Sequence, residues 1–211
     1  APRWLAHHDA RTVLLAGCAV TALLLAAHGA VTGDAALYAL RLATGVASAA
    51  TFVSGGLLAA RLGTAHPQSS GLLLGIYYGG TGAGIVASAL LVPPLIALPA
   101  AHAWKWAWVA LGLAAALASV PIAVSTRALV APPARAGERA PFHWRPFGFG
   151  LAGYFMFGLG YIGYMTFVIT LLSELQLGAV QIVGFFVLLG AGVMASPWLW
   201  AGLLQRSRGG E

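Results

Sequence analysis

Hydrophobic residues occur along this chain in six long, nearly unbroken runs separated by short polar segments. Each run reaches the roughly 20 residues that an α-helix needs to cross the hydrocarbon core of a bilayer. The alternation typical of membrane strands is missing, and a backbone in lipid must satisfy its own hydrogen bonds, so the runs predict an all-α transmembrane bundle. The predicted spans are 12–31, 35–58, 70–95, 103–124, 147–172 and 179–203.

The composition excludes a soluble fold. Of the 211 residues, 60% are hydrophobic and 8% are charged, whereas a soluble domain carries about 25% charged residues. So few charges cannot cover the surface of a soluble domain, and the lipid bilayer is therefore the predicted solvent. The one cysteine, Cys18, lies inside the first run, where it has no partner for a disulfide within the chain or for a Cys-x-x-Cys site.

Basic residues sort to one side of the predicted bundle. When the helix ends are numbered alternately from the N-terminus, nine arginines fall on the first side and only Lys105 on the second. The positive-inside rule makes the first side the cytoplasm, which predicts a multi-pass protein of the inner (plasma) membrane. The net charge of +6 then reflects topology, because no basic stripe suited to nucleic acid is present. The nine are Arg3, Arg11, Arg61, Arg127, Arg135, Arg139, Arg145, Arg206 and Arg208.

Residues 127–146 form the longest polar segment of the chain and carry four arginines and four prolines. Their position on the arginine-rich side predicts a cytoplasmic linker. It divides the chain into residues 1–126, with four helices, and residues 147–211, with two. The remaining connections are short, so consecutive helices are expected to be antiparallel neighbours.

The third span carries rows of small residues at a spacing of four, which lets helix backbones approach closely in lipid. Two interpretations stay open: a structural packing seam, or a gating surface at which two halves of the protein move against each other. Pro93 and Pro94 are expected to end or bend this helix. The residues predicted to serve packing or gating are Gly71, Gly75, Gly79, Gly80 and Gly84.

Arg41 lies within the second span, about 9 Å inside its outer end by helical rise. A charged residue inside the bilayer costs about 2.5–3.5 kcal/mol on insertion scales, so such a residue usually faces a cavity or a partner. Thr44, Gly45 and Ser48 continue its face at helical spacing. This stripe predicts a water-accessible wall; the alternative is that Arg41 snorkels to the outer surface, helped by Asp34.

The fifth span places four aromatic residues on one face, namely Tyr154, Phe157, Tyr161 and Tyr164. Lipid does not satisfy phenolic hydroxyls at this depth, whereas a cavity, a ligand or other helices do. Lining of a binding site and buried packing both remain open for this face.

Enzyme signatures are missing from the sequence: there is no HExxH, GxSxG, Walker lysine or Cys/His zinc pattern. His7, His8 and Asp9 are adjacent, which is more typical of a solvated turn than of a metal site. Ser48 or Ser54 could serve as a nucleophile only with a histidine partner inside the helices, and none is seen. The chain is therefore predicted not to be an enzyme and to need no cofactor or metal.

These features resemble the major facilitator superfamily of transporters. Its fourth helix carries an Arg followed four residues later by Gly, as do Arg41 and Gly45, and its glycine-rich fifth helix resembles residues 75–84, without the usual Gly-Pro pair. A long cytoplasmic loop separates its sixth and seventh helices, as residues 127–146 do here. The segment GYFMFGLGYIGYMTFVITLL is similar to the seventh helix of the YbfB/YjiJ-type branch.

The resemblance covers essentially the whole chain and implies helices three to eight of twelve. On that basis the chain is expected to be incomplete and not to transport alone. Helices one, four, seven and ten line the cavity in this superfamily, which implies cavity roles for the stripe at Arg41 and for the four aromatic residues of the fifth span. Gln205, before Arg206, departs from the Asp usual in the loop after helix eight.

The resemblance implies a secondary transporter that moves a small organic solute by alternating access, with protons as a coupling ion suggested by the family alone. The alternative is a self-contained six-helix channel or permease subunit that oligomerises to enclose a pore.

Overall fold

A computed structural model describes residues 9–129 and 144–206 of the chain. Six of its helices are long and apolar enough to cross a membrane, and no strand occurs among the described residues. The predicted all-α transmembrane fold is confirmed. The helices are α1 (Ala10–Ala27), α2 (Asp34–Ala65), α3 (Ser70–Ile96), α4 (Ala103–Ser125), α5 (Trp144–Glu174) and α6 (Ala179–Arg206), with short 3-10 turns at Pro67–Ser69 and Thr126–Ala128.

Helix ends differ from the hydrophobic runs where local chemistry decides them. Helix α1 ends at Ala27, before the predicted 31, and the Nδ1 atom of His28 lies 2.7 Å from the carbonyl oxygen of Leu24. Helix α2 continues to Ala65, beyond the predicted 58, because arginine is a good helix former even though it ends the apolar run. It stops just before Pro67, whose ring disfavours helical geometry at the preceding residue.

Two prolines lie in the last turn of α3 without ending it at once. The helix includes Pro93 and Pro94 and ends at Ile96, and the carbonyl oxygen of Pro93 still accepts a hydrogen bond of 3.0 Å from the N–H of Ala97. The φ angle of proline suits a helix, and the main cost is the N–H that it lacks. The expected end therefore comes two residues after the proline pair.

Helices α1 to α4 pack as antiparallel neighbours: α1 contacts α2 and α4, and α3 contacts the same two helices. Small residues let these backbones approach. A Cβ atom at Gly17 would lie 2.5 Å from the hydroxyl of Thr51, and one at Gly112 would lie 2.8 Å from the backbone of Ala26. In lipid such contacts replace the hydrophobic drive that pairs helices in water.

A side-chain clasp joins the start of α1 to the end of α4. The Nε atom of Arg11 donates to the hydroxyl of Thr126 at 3.2 Å, and its Nη2 atom donates to the carbonyl oxygen of Ala123 at 3.1 Å. Thr126 is 7% exposed and donates its own hydroxyl proton to Ile122 at 2.6 Å. Nearby, an apolar cluster fills the space between the helices, made of Ala10, Leu14, Cys18 and Leu58 with Ile122 and Leu129 packed against it.

The chain forms two compact units, and α6 contributes to both. One unit holds α1 to α4 together with α6 from Phe186 onward, and the other holds α5 and the first residues of α6. In the second unit the backbone N–H of Gly178 donates to the side-chain oxygen of Gln181 at 2.7 Å, which satisfies a donor at the start of α6. The domain limits drawn from the linker at 127–146, a segment largely outside the described residues, stay a prediction.

Candidate functional site

Arg41 lies seven residues inside α2, and its side chain is exposed in the described chain. Its guanidinium carbon lies 4.8 Å from the centroid of the Trp108 ring, on α4. A cation–π contact contributes about 0.5–2 kcal/mol, whereas a charged residue at the centre of a membrane helix costs about 2.5–3.5 kcal/mol. Trp108 alone therefore does not offset the cost of this charge.

Trp108 also contacts His28, the residue that follows α1. The His28 ring stacks against it with centroids 4.5 Å apart and an interplanar angle of 23°. His28 is 1% exposed, and its Nδ1 lies 2.7 Å from the carbonyl oxygen of Leu24 while its buried Nε2 has no hydrogen-bond partner among the described residues. The three side chains, which we call the His28–Trp108–Arg41 stack, connect α1, α4 and α2.

Arg41 was singled out from the sequence, but the two other members of the His28–Trp108–Arg41 stack were missed. Only the pairing of α1 with α4 brings their rings together, and a hydrophobic pattern does not report which helices are neighbours. The available signal was weak: a histidine at the end of one span and a tryptophan near the beginning of another.

The rest of the predicted stripe on α2 faces away from the packed core. Gly45 and Ser48 are exposed, and a Cβ atom at Gly45 would meet nothing within 4 Å. Thr44 is half-buried, and its hydroxyl donates to the carbonyl oxygen of Leu40 at 2.7 Å, so its polar group is satisfied within the helix. The buried face of α2 is a different one and carries Ala47, Ser54 and Leu58.

An aromatic cluster follows Ser48 along the same face. Phe52 of α2 lies close to both Tyr77 and Tyr78 of α3, with ring centroids 6.0 and 5.3 Å apart. The Tyr77 hydroxyl donates to the carbonyl oxygen of Phe52 at 2.7 Å. The open surface of α2 therefore passes from a cation, through small and polar residues, to aromatic rings.

The predicted packing residues of α3 have different surroundings. Gly75 and Gly79 face Pro197 of α6, where added Cβ atoms would lie 2.8 and 3.2 Å from its side chain. Gly80 and Gly84 have nothing within 4 Å, and Gly71 is half-buried. A gating role for all five stays a prediction.

Among the glycines of α3, Gly82, outside the predicted set, approaches α6 most closely. Its Cβ position lies against the carbonyl oxygen of Gly190 and 2.9 Å from the backbone nitrogen of Met194. The spacing-of-four rule missed it because the contact row shifts by three residues after Gly79. Residues three and four positions apart lie on the same helix face, so Gly82 could have been included in the predicted row.

The four aromatic residues of α5 form an exposed face of the second unit. Tyr154 and Phe157 have ring centroids 6.3 Å apart, and Phe157 stacks on Tyr161 at 5.9 Å with an interplanar angle of 15°. Exposure is 65% for Tyr154 and Phe157, 46% for Tyr161 and 50% for Tyr164. Within its own unit this face is therefore available to a ligand, to lipid or to another helix.

Among the described residues, the side chains considered for metal binding do not cluster, and the Ser54 hydroxyl considered as a nucleophile is already hydrogen-bonded. Among the described residues no cluster of three His, Cys, Asp or Glu side chains could hold a metal ion, and His7 and His8 lie outside those residues. The Ser54 hydroxyl is fully buried and donates to the carbonyl oxygens of Ala50 and Thr51, at 2.6 and 3.2 Å.

A family model described as "Uncharacterised MFS-type transporter YbfB" matches residues 3–211. The chain belongs to this family. The resemblance to the YbfB-type branch of the major facilitator superfamily is thereby confirmed. No curated protein and no solved structure gives a significant match.

Membership of the YbfB-type MFS family supports membrane transport as the general function. The six membrane-crossing helices agree with a multi-pass membrane protein in contact with lipid. Within this framework, an exposed arginine inside a span is the feature with the clearest chemical meaning.

Proposed function

We propose that this chain supplies helices three to eight of a secondary transporter, which moves a small organic solute across the inner (plasma) membrane by alternating access. Arg41 carries this proposal. It is a cation inside a span of a transporter-family protein, and it is exposed on a face of α2 that the core does not use. A charge in that position needs water or a solute, and both are present in a transport pathway.

The proposal assigns Arg41, Thr44, Gly45 and Ser48 to the wall of the pathway on the first unit. The aromatic face of α5, formed by Tyr154, Phe157, Tyr161 and Tyr164, is assigned to substrate contact on the second. Exposed phenolic hydroxyls offer hydrogen bonds, and their rings offer apolar contact. These assignments are supported by exposure and by family membership.

Close packing of α3 on α6 supports a role in the conformational change. Gly75 and Gly79 bring the α3 backbone against Pro197, and the lack of side chains there leaves a smooth contact. Such a surface permits one helix to slide or tilt on another with few interlocking groups. We assign gating to this contact.

The arginine-rich helix ends are proposed to lie in the cytoplasm, together with the segment 127–146. Protons are proposed as the coupling ion on the ground of the family alone. A protonophore such as CCCP is expected to abolish accumulation of the substrate while leaving equilibrative exchange in place. Accumulation that persists without a proton gradient would contradict proton coupling, and the remainder of the proposal would stand.

Cysteine accessibility tests alternating access directly. In a background with Cys18→Ala, Ser48→Cys is expected to react with the water-soluble, impermeant thiol reagent MTSET added from either side, at rates that change in opposite directions when substrate is present. Leu113→Cys is the matched control, because Leu113 is 60% exposed on α4 at an apolar position and should face lipid. Equal and unchanging access to Ser48→Cys from both sides would indicate the channel instead.

A further inference from the structure

Arg41 is the only charged residue of the described helices that lies more than five residues from a helix end. The acidic residues of the described chain are Asp9, Asp34 and Glu174, and each lies at a helix terminus. Asp34 is seven residues before Arg41, about 10.5 Å along the axis by helical rise, which is too far for an ion pair. The charge of Arg41 therefore has no counter-ion among the described residues.

The Arg41 side chain contacts an aromatic ring, but its N–H donors have no hydrogen-bond partner among the described residues. Its guanidinium carbon lies over the Trp108 ring, and the stacked His28 ring supports Trp108 in turn. None of its five N–H donors is bonded to a described residue, so its hydrogen-bonding capacity is free. A guanidinium group held against an aromatic ring keeps its planar fork of donors for a two-point partner, and a carboxylate matches that fork.

The surface beside Arg41 provides room for the body of such a partner. Gly45, one turn along α2, has open space where a side chain would begin, and Ser48 follows on the same face. The aromatic rings of Phe52 and Tyr78 lie farther along this face, about 16.5 Å from Arg41 by helical rise. An anionic group at Arg41 would therefore have a shallow, partly polar surface next to it.

We propose that Arg41 is the anion-binding residue of the transport site and that the transported solute is a small organic carboxylate. This inference rests on the proposed transport function and adds the substrate class. The Trp108 ring and His28 act as positioning residues, because they orient Arg41 without touching the anion.

Thermal unfolding of the purified full-length protein in dodecyl maltoside tests the inference at constant ionic strength. The probes are three carboxylates and their neutral amides: benzoate and benzamide, 3-phenylpropionate and 3-phenylpropanamide, hexanoate and hexanamide. At least one carboxylate is expected to raise the Tm by about 3 °C at ten times its Kd, because a ligand stabilises the state that binds it. No amide should have this effect.

Substitutions assign the effect to one residue. Arg41→Gln should abolish the carboxylate shift, and Arg41→Lys should keep a reduced one because the charge remains without the planar fork. Lys105→Gln is the matched control: its Nζ atom also lies over a ring, 5.6 Å from the centroid of Trp104, so an equal charge is lost from a similar contact. The shift should persist in Lys105→Gln.

Gly45→Leu gives a second test that keeps the charge. It should weaken carboxylate binding at least tenfold by filling the space beside Arg41, and this readout does not depend on whether Arg41→Gln folds. Equal shifts with carboxylates and amides, no shift with any carboxylate, or an unchanged shift in Arg41→Gln would each overturn the inference. A Tm shift that depends on Arg41 but occurs only with added phosphatidylglycerol would also overturn the inference, because it would show that Arg41 binds a lipid phosphate group. Failure of transport itself is read separately, from the accessibility of Ser48→Cys.

Discussion

The phenolic hydroxyl of Tyr77 donates a hydrogen bond of 2.7 Å to the backbone carbonyl oxygen of Phe52. The bond joins α3 to α2 through a carbonyl group that belongs to the helical ladder. It requires the Tyr77 ring to lie flat against α2, and Gly55 makes this possible: a Cβ atom there would lie 2.6–2.9 Å from the hydroxyl and ring atoms of Tyr77.

Gly55→Ala should therefore destabilise the protein. The added methyl group overlaps a ring that a hydrogen bond holds in place, and overpacking of this kind costs about 1–3 kcal/mol. The measurement is the free energy of unfolding in mixed dodecyl maltoside and SDS micelles. Gly80→Ala is the control, because nothing lies within 4 Å of its Cβ position; a Gly80→Ala loss as large as that of Gly55→Ala would contradict this account.

Arg11→Gln should loosen the contact between the start of α1 and the end of α4. Two hydrogen bonds from a charged donor are lost, and bonds to charged groups contribute about 1.5–3 kcal/mol when buried, less here because Arg11 is only partly buried. A double-mutant cycle with Thr126→Val, read from unfolding free energies, should give a coupling of at least about 0.5 kcal/mol. Strictly additive effects would show that the two side chains do not interact.

Substitutions at His28 should separate its packing from its polarity. His28→Phe keeps a ring against Trp108 and removes the buried Nε2 that has no described partner, at the cost of the contact with Leu24. His28→Ala leaves a cavity in a nearly fully buried place, which costs about 2–5 kcal/mol by analogy with other large-to-small changes. His28→Phe should thus be clearly the more stable variant by thermal unfolding, and the reverse order would show that the imidazole nitrogens matter most.

Gly82→Ala should disturb the contact between α3 and α6 and so alter transport. Its new methyl group would lie 2.9 Å from the backbone nitrogen of Met194, and backbone on both sides cannot move aside as a flexible side chain can. In the complete transporter we expect at least a tenfold loss of transport rate, with the protein still inserted in the membrane. Gly84→Ala, which has open space around it, should keep nearly normal rates; equal loss in both variants would remove the special role of Gly82.

Much of the fold follows from hydropathy because the bilayer imposes a simple rule. Where strand-type alternation is missing, a backbone that crosses lipid must be helical and about 20 residues long, so six apolar runs predict six helices whatever their partners. The limits of α1 and α2 were predicted less well, since His28 and Pro67 end helices by local hydrogen bonding and by sterics. A hydropathy pattern reports neither the hydrogen bonding at His28 nor the steric effect of Pro67.

Of the His28–Trp108–Arg41 stack, only Arg41 could be singled out from the sequence. Arg41 is conspicuous as a charge inside an apolar run, but nothing in the sequence pairs it with Trp108 or supports Trp108 with His28. Likewise, a row of glycines predicts close packing without indicating that Gly82 meets Gly190 or that Gly84 meets open space. The family match identifies the activity class and leaves these contacts to the structure.

By itself the sequence determined that this chain is a membrane protein with six spans and that Arg41 lies within one of them. Hydropathy reports this much because water and lipid act on each segment independently of its neighbours. Only the tertiary structure decided which helices meet, and therefore that Arg41 lies against the Trp108 ring with no counter-ion among the described residues. Contacts between distant segments depend on the shapes of both surfaces, and a pattern read along one segment carries information about only one of them.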